Sequence, residues 1–384
     1  MQAGPRFTFH IGAHKTGTTY LQSMFLALTP ALRERGVLVP ECWYRKANQG
    51  GHHILPTALE SGPESRLRDD FNAIRDTGCT EVLISAESLS GLSERALDRL
   101  HRLVNDAETQ FIYHCRRWSD QIPSLWQTAV RGRREEPFPA FSRDIIETAS
   151  TALNFGSNLD RFAEVFGRAR VSIVSYSAVV EANQNLAAHF FRTFLPDVPD
   201  VAAMAENEPS PPRNVSLPFW QMEIIRGMNA LAREQGVTRR LGPSSWLRQR
   251  AGGLSLDKIE EALIQARQEL TLDDNRPRMR VLHERLFQAW GDRLVAPAPE
   301  KGFFTPATRV VPFVHPSRLR SPDVRPLLRE LFDLYLDYGE RAEANPAERA
   351  ARRALLAERA AQRQTLDTPQ IPEPGVRSSD QSQG

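Results

Sequence analysis

The chain has 384 residues, of which 41% are hydrophobic and 25% charged, proportions that are usual for soluble globular proteins. Its formal net charge of +2 is too small to indicate a general attraction to nucleic acid or to an anionic membrane surface. Because no apolar run approaches the length that crosses a bilayer, we expect a cytoplasmic protein without a signal peptide or transmembrane segment.

The first predicted elements are a strand, a glycine-bearing loop and a helix within residues 7–22, FTFHIGAHKTGTTYLQ. The first residues alternate like a strand, and apolar residues recur with helical spacing after Gly17. Gly12 and Gly17 have the spacing of the nucleotide P-loop, but Thr18 stands where a nucleoside triphosphatase has its lysine, and Lys15 lies upstream. Because a helix N-terminus exposes unpaired N–H groups, we interpret this loop as a phosphate site with a cation beside it.

Strands and helices then alternate along the chain. Hydrophobic runs predict strands at residues 37–39, 81–86, 109–115 and 170–176, and apolar periodicity predicts helices at residues 67–76, 92–105, 155–165 and 185–194. Such alternation produces a parallel sheet with right-handed crossovers. We therefore predict a P-loop-type three-layer α/β fold, with a parallel central sheet flanked by helices, a helical insertion and a C-terminal helix.

Polar residues follow the predicted strands where ligands bind in such sheets. Glu87 comes after the strand at 81–86, Arg116 follows the next strand, and Ser124 is eight residues further on. A cation at a strand end and a hydroxyl on the following helix can converge on one dianionic phosphate. Residues 41–65 contain several glycines and prolines and predict an irregular excursion over this edge, which is either part of a ligand pocket or an inert loop.

The second half of the chain has a different composition. The prolines within residues 196–218 predict irregular structure. Apolar periodicity then predicts helices at residues 219–234, 256–270, 278–290, 324–342 and 345–364. We predict four parts, namely a nucleotide-binding core at 1–195, a helical acceptor or lid region at 196–343, a C-terminal helix at 344–366 and a disordered tail at 367–384.

The string Lys15-Thr16-Gly17-Thr18-Thr19 is similar to the 5′-phosphosulfate loop, K-[ST]-G-T-T, of sulfotransferases that use 3′-phosphoadenosine 5′-phosphosulfate. The longer string HIGAHKTGTTYLQ resembles the bacterial branch of that family. The resemblance implies that the backbone of residues 16–19 and the hydroxyls of Thr18 and Thr19 hold the 5′-phosphate. It also implies that Lys15 neutralises the leaving bridging oxygen. Lys15 is one of only four lysines among 49 lysine and arginine residues, so a lysine here, where the chain otherwise uses arginine for positive charge, indicates a specific role for its ammonium group.

A second likeness lies beyond the third predicted strand. Arg116 and Ser124 match in type and spacing the 3′-phosphate motif of the same family. A glycine-rich, lysine-bearing loop that completes this phosphate site in the family has only residues 300–302, Glu-Lys-Gly, as a faint counterpart.

The resemblance implies a sulfuryl transfer to a hydroxyl acceptor, for which we name a carbohydrate or lipid-linked glycan, with no metal. Relatives use a histidine or a glutamate as the base. Glu87 occupies the corresponding strand end and Glu41 is its rival, with His14 and His53 as further candidates. The three cysteines lack the spacing of a zinc site, which agrees with a reducing compartment.

Two other functions are compatible with the sequence. One is an ATP- or GTP-dependent kinase or nucleoside triphosphatase with a degenerate loop, which Thr18 in the lysine position disfavours. The other is a non-catalytic module that recognises sulfated or phosphorylated glycans through its arginines. Neither of the candidate glutamates would then matter for function.

Overall fold

The computed structural model describes residues 4–45, 50–104, 108–148, 152–208, 217–237, 246–247, 256–297 and 305–344. The strands are β1 (Arg6–His10), β2 (Val37–Leu38), β3 (Glu81–Ser85), β4 (Thr109–Cys115), β5 (Val171–Ser175), β6 (Arg267–Asp273), β7 (Leu294–Val295) and β8 (Thr308–Val314). Six of them form one sheet in the order β2-β3-β1-β4-β5-β7, and every pairing in it is parallel. The other two, β6 and β8, form an antiparallel ribbon.

Helices cover the sheet and fill the connections between strands. They are α1 (Thr18–Ala27), α2 (Thr29–Glu34), α3 (Ile54–Ser61), α4 (Glu64–Arg75), α5 (Glu94–Val104), α6 (Trp118–Arg131), α7 (Phe138–Glu147), α8 (Phe155–Phe166), α9 (Tyr176–Glu181), α10 (Leu186–Phe194), α11 (Pro199–Asn207), α12 (Phe219–Glu234), α13 (Asp257–Gln265), α14 (Pro277–Trp290), α15 (Pro316–Leu319) and α16 (Arg325–Ala344). None of the described helices is both long and apolar enough to cross a membrane.

Two hydrophobic layers lie on opposite faces of the sheet. In β1, Phe7 and Phe9 point into one layer, where the ring of Phe9 stacks on Phe111 with centroids 5.2 Å apart, and α5 and α8 cover them. The second layer contains side chains of α1, α2, α10 and α11. Because both faces are covered, the strands are buried along nearly their whole length, as parallel strands usually are. The predicted α/β fold with a parallel central sheet is confirmed.

Three segments differ from the sequence-based predictions. Residues 196–218 were expected to be irregular, but Pro199 begins α11, because proline fits the first helical position, where its missing N–H has no role. The excursion at 41–65 contains α3. The helix predicted at 256–270 ends at Gln265, and β6 follows. The sequence of β6 favours a helix locally, and its seven antiparallel pairs with β8 override that propensity.

The region beyond residue 195 is therefore not purely helical. Besides the β6–β8 ribbon it supplies β7, whose two residues pair with β5 at the edge of the main sheet. The division of the chain at residue 195 stays a prediction. The helix predicted at 324–342 is confirmed as α16, whereas the elements predicted beyond residue 344 lie outside the described residues.

Candidate functional site

The loop between β1 and α1 is held in one shape by backbone and packing constraints. Gly17 has φ +78°, and a Cβ there would lie 2.6 Å from Cδ2 of Leu186 and 3.0 Å from Cε2 of Tyr176. Only glycine combines this backbone conformation with such close neighbours. The hydroxyl of Thr16 is buried and donates to the carbonyl of Ala13 at 2.7 Å. This hydroxyl therefore fixes the loop internally.

The first turn of α1 offers hydrogen-bond donors that the protein itself does not use. The backbone N–H groups of Gly17, Thr18 and Thr19 donate to no acceptor in the described part of the chain. They carry the positive end of the helix dipole, which favours an anion. The side chain of Thr18 is buried and that of Thr19 is exposed. The geometry is that of a phosphate cradle.

Arg116, at the end of β4, lies against this loop. Its Nη1 donates to the carbonyl of Lys15 at 3.2 Å, and its guanidinium lies 5.5 Å from the centroid of the Tyr176 ring. The strands β1 and β4 are direct neighbours, so their carboxyl ends present both cations at one edge of the sheet. The structure thus brings together Lys15 and Arg116, which the sequence alone placed 101 positions apart.

The positive charges at this edge are only partly compensated. Burial lowers the pKa of the Lys15 ammonium, Arg131 and Arg116 lower it further, and the carboxylate of Glu87 opposes them. Burial likewise lowers the pKa of the Arg116 guanidinium, and Arg309 adds to this effect while Asp120 opposes it. Each cation is thus more easily neutralised than in water, and a bound anion would reverse that.

Helix α6 turns a polar stripe toward the loop. Gln121 is buried and its Nε2 donates to the carbonyl of His14 at 2.9 Å. Ser124 and Arg131 follow at helical intervals on the same side, and Ser124 is half-buried. Ser124, which the sequence predicted as a site residue, is therefore about one helical turn from Gln121, the residue that contacts the loop. Gln121 was not singled out by the sequence, because glutamine on a helix usually faces solvent.

The N-terminus of α6 is fixed by the β6–β8 ribbon. Asp274, at the end of β6, is buried, and its carboxylate accepts the N–H and the hydroxyl of Ser119 at 2.9 and 2.7 Å. Arg309 of β8 donates to Asp120 at 2.6 Å, and Arg117 donates to the carbonyl of Thr305 at 2.9 Å. No sequence signal identified these contacts, which join segments at least 155 positions apart.

A polar cleft of about 630 Å³ adjoins Glu87, with side chains of Arg45, His53, Thr57 and Ser88 among its walls. Glu87 begins a short 3₁₀ turn after β3 and points its carboxylate toward the phosphate loop. One wall of the cleft is α3, so part of the excursion at 41–65 lines a pocket.

This wall is attached to the sheet by His52. Its backbone N–H donates to the carbonyl of Ser85 at 2.8 Å, and its Nδ1 accepts the N–H of Ser85 at 2.9 Å. Glu41, the rival candidate base, is exposed, and its carboxylate makes no hydrogen bond or ion pair with the described residues. The structure thus places Glu87, and not Glu41, beside Lys15.

Residues 300–302, the weak candidate for a third nucleotide-binding motif, lie outside the described residues. Within the described ranges, no group of three or more histidine, cysteine, aspartate or glutamate side chains is arranged to hold a metal ion.

Comparisons with known proteins add little to this geometry. No protein-family model matches the chain, and no curated protein sequence matches it. A crystal structure of a sulfotransferase from Alicyclobacillus acidocaldarius aligns with 60% of this chain and 96% of its own, with 17% identity and a TM-score of 0.32. With so low a TM-score we draw neither fold nor function from that alignment.

Proposed function

We propose that the protein is a sulfotransferase that moves a sulfuryl group from 3′-phosphoadenosine 5′-phosphosulfate to a hydroxyl group of an acceptor. The observation that carries the proposal is the hydrogen bond from Arg116 to the carbonyl of Lys15. It joins the exits of β1 and β4 into one cationic edge beside the free N–H groups of α1. A nucleotide with a phosphate at each end carries negative charges that would neutralise this cationic edge.

The chemistry of the transfer matches the groups present. A phosphosulfate has a good leaving group, so the protein must hold the donor in line, stabilise the bridging oxygen and accept a proton. We assign the 5′-phosphate to the backbone of residues 16–19 and the hydroxyls of Thr18 and Thr19, and the 3′-phosphate to Arg116 and Ser124. Lys15 would neutralise the bridging oxygen, and we propose no metal for this step.

The acceptor would enter through the cleft beside Glu87. The side chains of Arg45, Thr57 and Ser88 offer hydrogen-bond donors and acceptors there, and among the described residues that line the cleft the one aromatic ring is the polar imidazole of His53. A pocket of this character suits a ligand with many hydroxyl groups better than a flat apolar one. We therefore propose a carbohydrate, free or lipid-linked, as the acceptor class, and we place the base in the group of side chains around Glu87.

A thermal-shift titration tests the donor assignment. Adenosine 3′,5′-bisphosphate without Mg²⁺ should stabilise the protein, by about 2.7 kcal/mol at one hundred times its dissociation constant. Lys15→Ala and Arg116→Ala should each weaken binding by roughly 10- to 100-fold, because a charge-assisted hydrogen bond contributes about 1.5–3 kcal/mol. The exposed residues Lys258 and Arg66 provide the control substitutions to alanine and should bind as the wild type does.

The same titration separates the alternatives. Greater stabilisation by ATP with Mg²⁺ would indicate a kinase or nucleoside triphosphatase and would reject the sulfotransferase. Binding of sulfated glycans, with no transfer from labelled phosphosulfate to glycan and lipid extracts, would indicate the non-catalytic module.

A further inference from the structure

A carboxylate and an imidazole face each other where the cleft meets the phosphate loop. Oε1 of Glu87 lies 3.7 Å from Nδ1 of His14, and its Oε2 accepts a hydrogen bond from Nε2 of Gln22 at 2.9 Å. Gln22, on α1, therefore fixes one carboxylate oxygen and leaves the other opposite the imidazole. Catalytic hydrogen bonds are often this long in unliganded enzymes and shorten when substrate binds.

The two groups differ in their capacity to take a proton near neutral pH. Burial by itself raises the pKa of Glu87, but a hydrogen bond from its own backbone, the charges of His14 and His53, and the side chain of Gln22 bring it below its ordinary value. A carboxylate with a lowered pKa is a weak base, whereas a good general base has a pKa close to the working pH. The pKa of His14 is lowered as well, but its ordinary value of 6.5 is closer to neutral pH than the 4.5 of a carboxylate, which favours the imidazole.

The imidazole of His14 is also available. Partial burial lowers its pKa from the ordinary value of 6.5, Glu87 opposes this, and His53 and Lys15 lower it further, so the ring is neutral at pH 7. The side chain is 57% exposed, and its Nε2 makes no hydrogen bond with any described residue. The backbone at this position is held by Gln121, which donates to its carbonyl. A neutral ring with one free nitrogen therefore stands directly before Lys15.

Resting on the function proposed above, we propose that His14 is the proton acceptor of the transfer and that Glu87 is a positioning residue that orients its ring. The acceptor oxygen forms a bond to sulfur while the bond from sulfur to the bridging oxygen breaks, and that electron pair leaves on the 5′-phosphate. The acceptor proton moves to Nε2 of His14. The carboxylate of Glu87 stabilises the imidazolium that results and keeps the other ring proton on Nδ1. Lys15 stabilises the charge on the leaving oxygen.

The proposal changes the expected results of substitution. His14→Ala should lower kcat by about 10²- to 10⁴-fold, the usual contribution of a general base. Glu87→Gln should lower kcat less and should shift the acid limb of the pH profile of kcat/KM to lower pH, because the imidazole loses the charge that raises its pKa. Neither variant should change the affinity for adenosine 3′,5′-bisphosphate by more than about twofold, which also confirms that both fold. His101→Gln, an exposed histidine on α5, is the control with unchanged activity.

A readout independent of the acceptor is the ¹⁵N–¹H NMR titration of His14. In the wild type the ring should carry its proton on Nδ1, and in Glu87→Gln this preference should weaken and the pKa should fall. Activity is measured by transfer from ³⁵S-labelled phosphosulfate to host glycan and lipid extracts.

The possible outcomes separate the two proposals. If wild-type transfer occurs and His14→Ala retains kcat within about threefold while Glu87→Gln loses it, Glu87 is the base and the assignment of His14 is wrong. An unchanged tautomer and pKa in Glu87→Gln would also overturn it. A wild type that neither binds the bisphosphate nor transfers the label rejects the sulfotransferase itself, and this inference with it.

Discussion

Replacing Asp274 with alanine tests whether the β6–β8 ribbon holds α6 against the phosphate loop. The side chain is 4% exposed, and its carboxylate accepts hydrogen bonds from the N–H and hydroxyl of Ser119 and from the N–H of Ala307 at 3.1 Å. Ser119 lies in the first turn of α6, where backbone N–H groups have no partner within the helix. The substitution therefore removes the acceptor from three donors at once.

The expected loss follows from these contacts. A buried donor left without a partner costs about 1–3 kcal/mol, and the loss of an acceptor at a helix N-terminus costs about 1 kcal/mol. Part of this is offset, because burying an ionised carboxylate is itself unfavourable. We expect Asp274→Ala to lower the free energy of unfolding by about 3–5 kcal/mol, and Asp274→Asn by roughly half of that, because the amide keeps one oxygen acceptor.

Urea denaturation measures the effect. The buried Trp118 lies beside Ser119 and makes tryptophan fluorescence a suitable signal. The control is Asp98→Ala, an exposed aspartate on α5, which should change the free energy of unfolding by no more than about 0.5 kcal/mol. If Asp274→Ala also stays below about 1 kcal/mol, the carboxylate does not hold α6 and the reasoning is wrong. If the carboxylate does hold α6, Asp274→Ala should also weaken the binding of adenosine 3′,5′-bisphosphate, because α6 carries Ser124.

Two further predictions concern the loop and the sheet. Gly17→Ala should keep the fold but weaken bisphosphate binding at least about tenfold, because alanine at φ +78° is strained by about 1–2 kcal/mol and its Cβ would lie 2.6 Å from Leu186. Calorimetry measures the affinity, and the control is Gly4→Ala, whose Cβ meets nothing within 4 Å. Equal affinities of the two variants would contradict the prediction. Burial lowers the pKa of His10 and of His52 from 6.5 to about 4. Between these pH values the two histidines are therefore protonated in the unfolded chain and neutral in the folded protein. The free energy of unfolding should therefore fall as the pH drops from about 6.5 toward 4, by up to about 1.4 kcal/mol per pH unit for each histidine. Urea titrations between pH 7.5 and 5 test it, and a His52→Gln variant with an unchanged slope would speak against the assignment.

Much of the edge that carries the site follows from the sequence. The strand, loop and helix around Lys15 are local, because glycine positions and apolar periodicity specify them within about a dozen residues. The strands before Glu87 and Arg116 are equally recognisable as short buried runs. Parallel strands end at one edge of a sheet, so the predicted parallel fold places these three side chains along the same edge, and the strand order β3-β1-β4 makes them neighbours.

Local sequence patterns of this kind do not predict the β6–β8 ribbon or its contacts. The residues of β6 favour a helix locally, and only pairing with β8 turns them into a strand. The hydrogen bonds between Asp274 and Ser119 connect positions 155 residues apart, and the local sequence around either residue does not predict contact with the other. The same is true of β7, which joins the main sheet through two residues.

The proposed division of labour between Glu87 and His14 also depends on the tertiary structure. From sequence, Glu87, Glu41, His14 and His53 were all candidate bases, because each residue type can accept a proton. The choice depends on which oxygen and nitrogen atoms face each other and on how burial and neighbouring charges alter each pKa. The sequence by itself determined the elements and the edge at which they end, since those depend on local preference and strand direction. Only the tertiary structure decided which groups act together, since that depends on distances across space between residues that are remote in the chain.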